Sequence, residues 1–258
     1  MILIKNKSSI SKMEKAGQLL AEIFDGIPSL IHPGTSTLEI NNWIASKLKE
    51  KGLVSKSKGY LGYRYESCIS LNEEVVHGVP SEKKKLKVED LVKIDICASW
   101  KNYCADMARS FFVGECKPES KRLVSVAQMA LDAGISKARS GNHLSDISHA
   151  IQTVIEKNGF GIVRDFAGHG IGRALHEDPE VPNYGSPGKG PILRSGITLA
   201  IEPMITMGSH EVVVMEDGWT VRTVDKSVAA HVEDTVLITE GNPKILTRHN
   251  LSGRGLYG

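Results

Sequence analysis

The sequence predicts an α+β protein in which pairs of helices cover one face of an antiparallel sheet. The chain passes twice through two helix-like segments that are followed by several strand-like segments. The spacing of key positions also repeats, because 43 positions separate Gly52 from Asp95 and Gly159 from Glu202. We therefore expect two similar αα-plus-sheet units, at about 9–113 and 114–240, within a single domain over 1–258.

The helix-like segments have apolar residues at helical spacing and recognisable ends. The first follows a capping-box pattern formed by Ser11 and Glu14. The second starts near Ser36 or Thr37 and stops at Gly52. The predicted helices cover, in order, about 12–25, 36–52, 120–139 and 145–158.

The strand-like segments are short apolar or alternating runs between turn residues. Residues 53–66 are rich in Lys, Ser, Gly and Tyr and predict a loop, and Ser252 to Gly258 predict a loose tail. The predicted strands cover about 67–71, 91–98, 103–113, 161–166, 198–205, 211–215, 220–224 and 232–239.

Composition excludes several classes of protein. A formal net charge of +2 is too small to favour a nucleic-acid binder, so we expect no DNA partner. No apolar run approaches the ~18 residues of a membrane span, and the N-terminus lacks the apolar stretch of a signal peptide. The cysteines are not in CxxC spacing, which is typical of free thiols in a reducing compartment. These features predict a cytoplasmic protein without a membrane partner.

A pair of carboxylates lies on the two strands of a predicted hairpin. A turn centred on Trp100-Lys101 places Asp95 directly opposite Asp106, whereas a turn one residue later, which Asn102 favours, makes the pair diagonal. Both registers leave the two side chains on one face, away from the apolar face of the first strand. Two such carboxylates repel each other unless one is protonated or a cation lies between them. The alternative is two exposed residues on a hydrated face.

A glycine-rich segment and two apolar strands add further ligand-type side chains. His169 and His176 lie in GHGIGRALHE, where alternating glycines allow a close approach of the backbone to a ligand. Their spacing is not that of the helical HExxH zinc motif. Glu202 and Glu233 interrupt apolar strands that offer no cation at strand spacing. Because a buried unpaired carboxylate is costly, metal binding explains these acids better than salt bridges do.

The ordered set Asp95, Asp106, His169, Glu202 and Glu233 resembles the ligand set of the methionine aminopeptidase and prolidase superfamily. Five local motifs resemble type I methionine aminopeptidases in particular. They are ESCISLNEEVVHGVP (66–80), VKIDICASWKNYCADMARSF (92–111), GHGIGRALHEDP (168–179), TLAIEPM (198–204) and DGWTVRT (217–223). The resemblance implies a pita-bread fold with pseudo-two-fold symmetry, and removal of the initiator methionine from nascent polypeptides whose second residue is small.

The resemblance also implies a catalytic domain with two divalent metal ions at its centre. Asp95 would bind one ion, His169 and Glu202 the other, and Asp106 and Glu233 would bridge them. Oxygen ligands with one imidazole suit Mn, Fe(II) or Co, and Zn and Ni remain open. The N-terminal zinc-binding extension of some relatives is not expected.

By the same resemblance, His77, His176 and Glu202 are expected to be catalytic, with Glu202 as the proton shuttle. A site of backbone oxygens for a monovalent cation is expected near Asn72 and Glu74. Leu175 stands where relatives often carry Phe, and Ser57 where some carry Cys. The substrate-binding residues implied are Tyr60, Tyr63, Cys68, His77, Leu175, His176 and Trp219.

Other interpretations stay open. A prolidase or aminopeptidase P of the same superfamily is the nearest alternative, and a metal-free interaction protein with this fold is the next. The basic run 83–87 favours a solvated loop, with a transient contact to ribosomal RNA as its alternative. We expect a monomer whose partners are the N-termini of nascent polypeptides.

Overall fold

The computed structural model describes residues 1–249, so the predicted tail from Ser252 lies outside the described residues. Among residues 1–249, no helix combines the length and apolar character that crossing a membrane would require. The helices are α1 (Lys7–Gly26), α2 (Thr37–Glu50), α3 (Pro118–Lys137) and α4 (Leu144–Lys157).

Within residues 1–249 fifteen strands follow the predicted pattern, and most are shorter than the predicted ones. In chain order they are β1 (Val54–Ser55), β2 (Cys68–Leu71), β3 (Glu74–Val76), β4 (Leu91–Trp100), β5 (Tyr103–Phe112), β6 (Gly161–Ile162), β7 (Gly168–Gly170), β8 (Glu177–Val181), β9 (Thr198–Ile201), β10 (Met204–Thr206), β11 (Val212–Val214), β12 (Val221–Thr223), β13 (Ala229–His231), β14 (Glu233–Leu237) and β15 (Lys244–Ile245).

The helix ends follow from side-chain caps. The predicted start of α1 was wrong, because its N-cap is Asn6, whose side chain accepts a hydrogen bond from Ser9 N at 2.9 Å. The capping-box pattern at Ser11 therefore lies inside the helix. The start of α2 is confirmed: Ser36 and Glu39 cap each other's backbone N–H groups reciprocally.

A nine-stranded antiparallel sheet forms the centre of the molecule, with strand order β1-β4-β5-β14-β9-β7-β8. The outer strands β2 and β15 pair with β4 and β14. Apolar side chains of α1 and α2 pack against one face of β4 and β5. Those of α3 and α4 pack against β9 and β14. This arrangement covers one face of the sheet with helices and leaves the other face for polar side chains.

The hairpin of β4 and β5 decides between the two predicted registers. Asp95 pairs with Ala108 and Asp106 with Cys97, so the register with Asp95 directly opposite Asp106 was wrong and the later turn is correct. The turn residues Lys101 and Asn102 have φ of 47° and 64°. Asn tolerates this left-handed region, whereas the earlier turn would have placed bulky Trp100 there.

Strand boundaries fall at two of the acidic residues, Glu202 and Glu233. The run 198–205 divides into β9 and β10, which belong to different sheets, with Glu202-Pro203 between them. Pro203 has no N–H to continue the ladder. The run 232–239 likewise begins a new strand at Glu233, after β13 ends at His231. Chain breaks at these positions turn both acidic side chains toward the same region.

Candidate metal centre

Three strands bring two of the predicted acids into one row. Asp95 on β4 pairs with Ala108 on β5, and Ala108 pairs with Glu233 on β14. Directly paired residues share a face of the sheet, so Asp95 and Glu233 flank the small side chain of Ala108. Cys68 on β2 pairs with Asp95 and extends the row. Asp106 lies on the same face, two positions along β5.

The histidine segment completes the centre from the other half of the sheet. His169 lies on β7, a strand of the glycine-rich segment that pairs with β8 and β9. Glycine makes the strand possible, because a Cβ on Gly168 would lie 2.4 Å from Ala200 O. His169 Nε2 faces Asp106 Oδ2 at 3.9 Å and Glu202 Oε1 at 3.6 Å.

The tautomer of His169 suits metal binding. Its Nδ1 lies 2.9 Å from Gly170 O, a partner that can only accept, so Nδ1 carries the proton. Burial lowers the pKa of His169 to about 3, which keeps the ring neutral. The lone pair of Nε2 therefore points at the carboxylates, the arrangement that metal-binding histidines adopt.

The carboxylates are too close and too buried to be ionised together without a cation. Burial raises the pKa of Glu202 to about 8. Burial and then repulsion from Glu202 raise that of Asp106 to about 7. Burial and repulsion from Asp106 raise the pKa values of Asp95 and Glu233 well above their ordinary range. A bound cation would reverse these shifts.

An orphaned oxygen gives the direct test of whether these residues fit a metal. Glu233 Oε1 is buried and, within the described part of the chain, has no hydrogen-bond partner. Ligand atoms of Asp106, His169 and Glu233 all lie within 4.8 Å of one another, as do those of Glu202, His231 and Glu233. The residues therefore fit a divalent cation. Asp95 belongs to neither group but lies beside Asp106, whose negative charge adds to burial in raising the pKa of Asp95.

His231 is a member of the centre that the sequence analysis missed. It is 1% exposed, and its Nε2 lies 3.2 Å from Glu202 Oε2. Its strand β13 pairs with β10, with His231 opposite Met204. The signal that could have found it is position: His231 lies two residues before Glu233 in an apolar segment.

The two predicted catalytic histidines lie beside the centre. The His176 ring lies 4.3 Å from the His169 ring, between centroids, and its Nδ1 is 3.0 Å from Tyr60 Oη. His77 has a φ of 58° and stacks edge-on against Phe166 at 5.4 Å. The positive charges of His176 and His231 would add to burial in lowering the pKa of His77 to about 4. Phe166 is a further neighbour that the sequence analysis missed.

Three of the seven predicted substrate-binding residues, Tyr63, Cys68 and Trp219, lie together, and Cys68 pairs with Asp95 on the neighbouring strand. Tyr63 is 4% exposed and contacts Trp219 edge-on at 5.0 Å. Cys68 lies beside both Tyr63 and Asp95, and burial raises the pKa of its thiol well above the ordinary range. Leu175 is placed differently, because it packs against the cluster that contains Ile171 and Cys104.

The surroundings of Asn72 do not suit the predicted monovalent cation. The carbonyl oxygen of Asn72 already accepts from Lys93 Nζ at 2.7 Å and from Ala229 N at 3.0 Å. The carboxylate of Glu74 is paired with Lys84 at 2.7 Å. An ammonium group therefore stands where the cation was expected.

Comparison with known proteins gives one consistent family. The sequence profile of metallopeptidase family M24 matches residues 11–240. The methionine aminopeptidase of Clostridium acetobutylicum is 43% identical over 247 residues, which cover 96% of this chain and 99% of that protein.

Solved structures agree with this result. The crystal structure of methionine aminopeptidase from Thermotoga maritima matches with a TM-score of 0.95 at 45% identity, covering 96% of this chain and 100% of that one. The prolidase from Pyrococcus furiosus matches with a TM-score of 0.77 at 24% identity, covering 96% of this chain and 66% of that one, which shows a shared fold alone. The predicted pita-bread fold is confirmed.

Proposed function

The chain belongs to metallopeptidase family M24, and from this premise we propose that it removes the N-terminal methionine from polypeptides by metal-dependent hydrolysis. The resemblance to methionine aminopeptidases that the motifs indicated is confirmed by relatives at 43% identity over nearly the whole chain. The observation that carries the proposal is the cluster of Asp106, Glu202 and Glu233 carboxylates around the free Nε2 of His169, with Asp95 beside Asp106.

We propose that the centre binds two divalent ions. Asp95 would hold one, His169 and Glu202 the other, and Asp106 and Glu233 would lie between them. Glu233 belongs to both groups of ligand atoms, which supports its place between two ions, and the 3.6 Å between His169 Nε2 and Glu202 Oε1 supports a shared ion for these two residues. When bound, divalent cations lower the pKa of water and polarise the scissile carbonyl. Mn, Fe(II) and Co suit this set of ligands, with Zn and Ni as further candidates.

Glu202 is the residue best placed to move a proton. Its two oxygens face different imidazoles: Oε1 faces His169 and Oε2 faces His231. These contacts fix the orientation in which the carboxylate would take a proton from water and deliver it to the leaving amine.

His77 and His176 would act on the peptide itself. Both have lowered pKa values, so the rings are neutral and each carries one N–H at neutral pH. We propose that His77 contacts the scissile amide and that His176 donates to the oxygen on which negative charge develops. Tyr60 Oη, at 3.0 Å from Nδ1, orients the ring of His176.

The methionine side chain would lie against Tyr63, Cys68 and Trp219. The aromatic faces supply apolar area, and the raised pKa of Cys68 keeps its thiol neutral beside a thioether. Nascent N-termini with a small second residue are the proposed substrates. A monomeric state and a ribosome contact through 83–87 stay predictions, and Lys84 of that run is already paired with Glu74.

The test is cleavage of Met-Ala-Ser by protein stripped of metal and titrated with Mn, Fe(II), Co, Zn or Ni. We expect release of methionine that depends on added metal, and no cleavage of Xaa-Pro peptides. The control is Glu233→Gln, which removes a negative charge from the centre at nearly constant volume. Cleavage of Xaa-Pro with Met-Ala-Ser left intact would favour a prolidase. Metal-free protein that binds no ion would favour the interaction protein.

A further inference from the structure

Lys93 is a buried lysine that the proposed reaction does not use. It lies on β4 two residues before Asp95, in the apolar run Val92-Lys93-Ile94, and is 1% exposed. Its Nζ donates to Asn72 O at 2.7 Å, the only hydrogen bond of this ammonium to residues 1–249. A long cationic side chain is rarely buried without a specific partner, so this contact needs an explanation.

The partner of Lys93 is a tight turn with an asparagine in the left-handed region. Asn72 lies between β2 and β3 with a φ of 47°. Its side chain bonds Asp90 at 2.8 Å and the N–H of Leu91 at 2.9 Å, which ties the turn to the start of β4. The carbonyl oxygen of Asn72 faces the protein interior, where it needs hydrogen-bond donors from other residues.

The same oxygen also holds a third segment. Ala229 N donates to Asn72 O at 3.0 Å, and Ala229 begins β13, the strand that carries His231. One carbonyl therefore joins β4, the Asn72 turn and β13. Two of these segments lead directly to the metal centre, through Asp95 and His231.

The surroundings of Lys93 are acidic. Although burial lowers its pKa to about 7, the carboxylates of Glu74, Glu73 and Asp90 act in the opposite direction and favour the charged form. The carbonyl oxygen of Asn72, together with these nearby carboxylates, would attract a monovalent cation. A cation at Asn72 O would instead meet the Lys93 ammonium, and the two like charges would repel each other strongly in a buried place.

We propose that the Lys93 ammonium takes the place of a monovalent cation in this chain and holds the Asn72 turn, β4 and β13 together without K⁺ or Na⁺. The side chain is tethered, so the protonated amine stays at the carbonyl, and the entropy of ordering it is lost on folding rather than on binding a free ion. A protein that depended on a free ion would lose this tie whenever the ion dissociated.

The first experiment compares thermal melting of the metal-loaded protein in KCl, NaCl and choline chloride at equal ionic strength. The measurement is made at about pH 6, where a lysine amine carries its proton. We expect the same melting temperature in the three salts. A crystal grown in RbCl should show no anomalous peak beside Asn72 O. Melting does not depend on peptide cleavage, so this result is independent of whether the proposed function is correct.

The second experiment uses matched variants. Lys93→Ala opens space at Asn72 O, and we expect a lower melting temperature in choline chloride that K⁺ partly restores. Lys93→Met fills the same space without charge, and we expect a loss that no salt restores. Lys93→Met with wild-type stability in choline chloride would overturn the proposal, as would a loss in Lys93→Ala that K⁺ does not reduce. If Lys93→Ala does not fold, the wild-type protein still tests the proposal. A melting temperature more than about 2 °C higher in KCl than in choline chloride would overturn the proposal, and so would a rubidium peak beside Asn72 O.

Discussion

His231 Nε2 lies 3.2 Å from Glu202 Oε2, and His169 Nε2 lies 3.6 Å from the other oxygen of the same carboxylate. Glu202 is therefore held between two imidazoles that approach from β7 and β13. His169 is available as a ligand because its Nδ1–H is fixed by Gly170 O. His231 instead restrains the Glu202 carboxylate, which has to be oriented both as a ligand and as a proton carrier.

Replacing His231 tests this restraint. We expect His231→Ala to lower kcat on Met-Ala-Ser by about 10–100-fold, with a smaller change in KM, because residues that orient metal ligands typically contribute this much. Metal affinity, measured by isothermal titration calorimetry, should fall as well. His231→Gln keeps an N–H donor and should retain most of the activity. A His231→Ala variant with wild-type kcat and metal affinity would contradict the positioning role.

His176 tests the stabilisation of charge on the peptide. It is exposed beside the His169 ring and contacts no predicted ligand except through that ring. We expect His176→Ala to lower kcat by about 100–1,000-fold with little change in KM, since a donor to a developing oxyanion acts in the transition state. Tyr60→Phe removes only the hydroxyl group that orients His176 and should have a smaller effect. An unchanged kcat for His176→Ala would remove His176 from the catalytic residues.

The alternation of apolar residues predicted which side of the sheet carries the site. Ile94 and Ile96 pack under α1 and α2, and Asp95 faces away from them, as predicted. The register was left open because both turns satisfy that alternation. Asn102 decided it through its left-handed φ, a local preference that the hydrophobic pattern does not contain. The break at Pro203 was missed because the apolar run continues across it.

The spacing of residues along the chain could not predict that the ligands outside the hairpin lie close together. His169 and Glu202 come from separate segments, and only the resemblance to known motifs predicted that they meet. His231 was missed because one histidine in an apolar strand has no distinguishing pattern. The cation predicted near Asn72 did not fit for a similar reason: that Lys93 points at Asn72 O depends on tertiary packing.

The metal-free protein should lose stability as pH rises above about 6.5. The pKa values of Glu202 and Asp106 are raised to about 8 and about 7, so these groups bind more protons in the folded than in the unfolded state. Stability therefore falls as pH rises from the ordinary pKa toward the raised one. His169, with its pKa lowered to about 3, has the opposite effect, but only below its ordinary value of 6.5. Lys93, with its pKa lowered to about 7, raises stability as pH rises above that value. It is one group, and the carboxylates that lower stability over the same range are several.

Added metal should offset this loss. A cation replaces the protons, so the gain in melting temperature on adding Mn²⁺ should increase between about pH 6.5 and 8. At 100-fold excess over Kd the gain corresponds to about 2.7 kcal/mol. The titration of Lys93 affects the metal-free and the metal-loaded protein alike, so it cancels in the difference between their melting temperatures. Melting curves with and without Mn²⁺ across this range test the expectation, and a gain independent of pH would contradict it. Glu233→Gln is the matched control and should show a smaller gain.

Arg109 should stabilise the junction between the two halves of the sheet. It lies on β5, and its Nη2 bonds Asp234 on β14 at 2.6 Å, with both side chains nearly inaccessible to solvent. Burial alone would raise the pKa of Asp234, but Arg109 and Arg248 outweigh it and hold the pKa below its ordinary value. Asp234 follows Glu233, so the pair also fixes the strand that carries a predicted bridging ligand.

Removing Arg109 leaves a buried carboxylate with one cationic partner, Arg248, which is 2.7 Å away. We expect Arg109→Met to lower the free energy of unfolding by about 3 kcal/mol, the lower end of the range for breaking a buried ion pair, because Arg248 remains. The double variant Arg109→Met/Asp234→Asn removes the uncompensated charge and should be more stable than Arg109→Met. Urea unfolding followed by circular dichroism measures both. If the double variant is less stable than Arg109→Met, the loss comes from packing of the Arg109 side chain and not from the unpaired charge of Asp234.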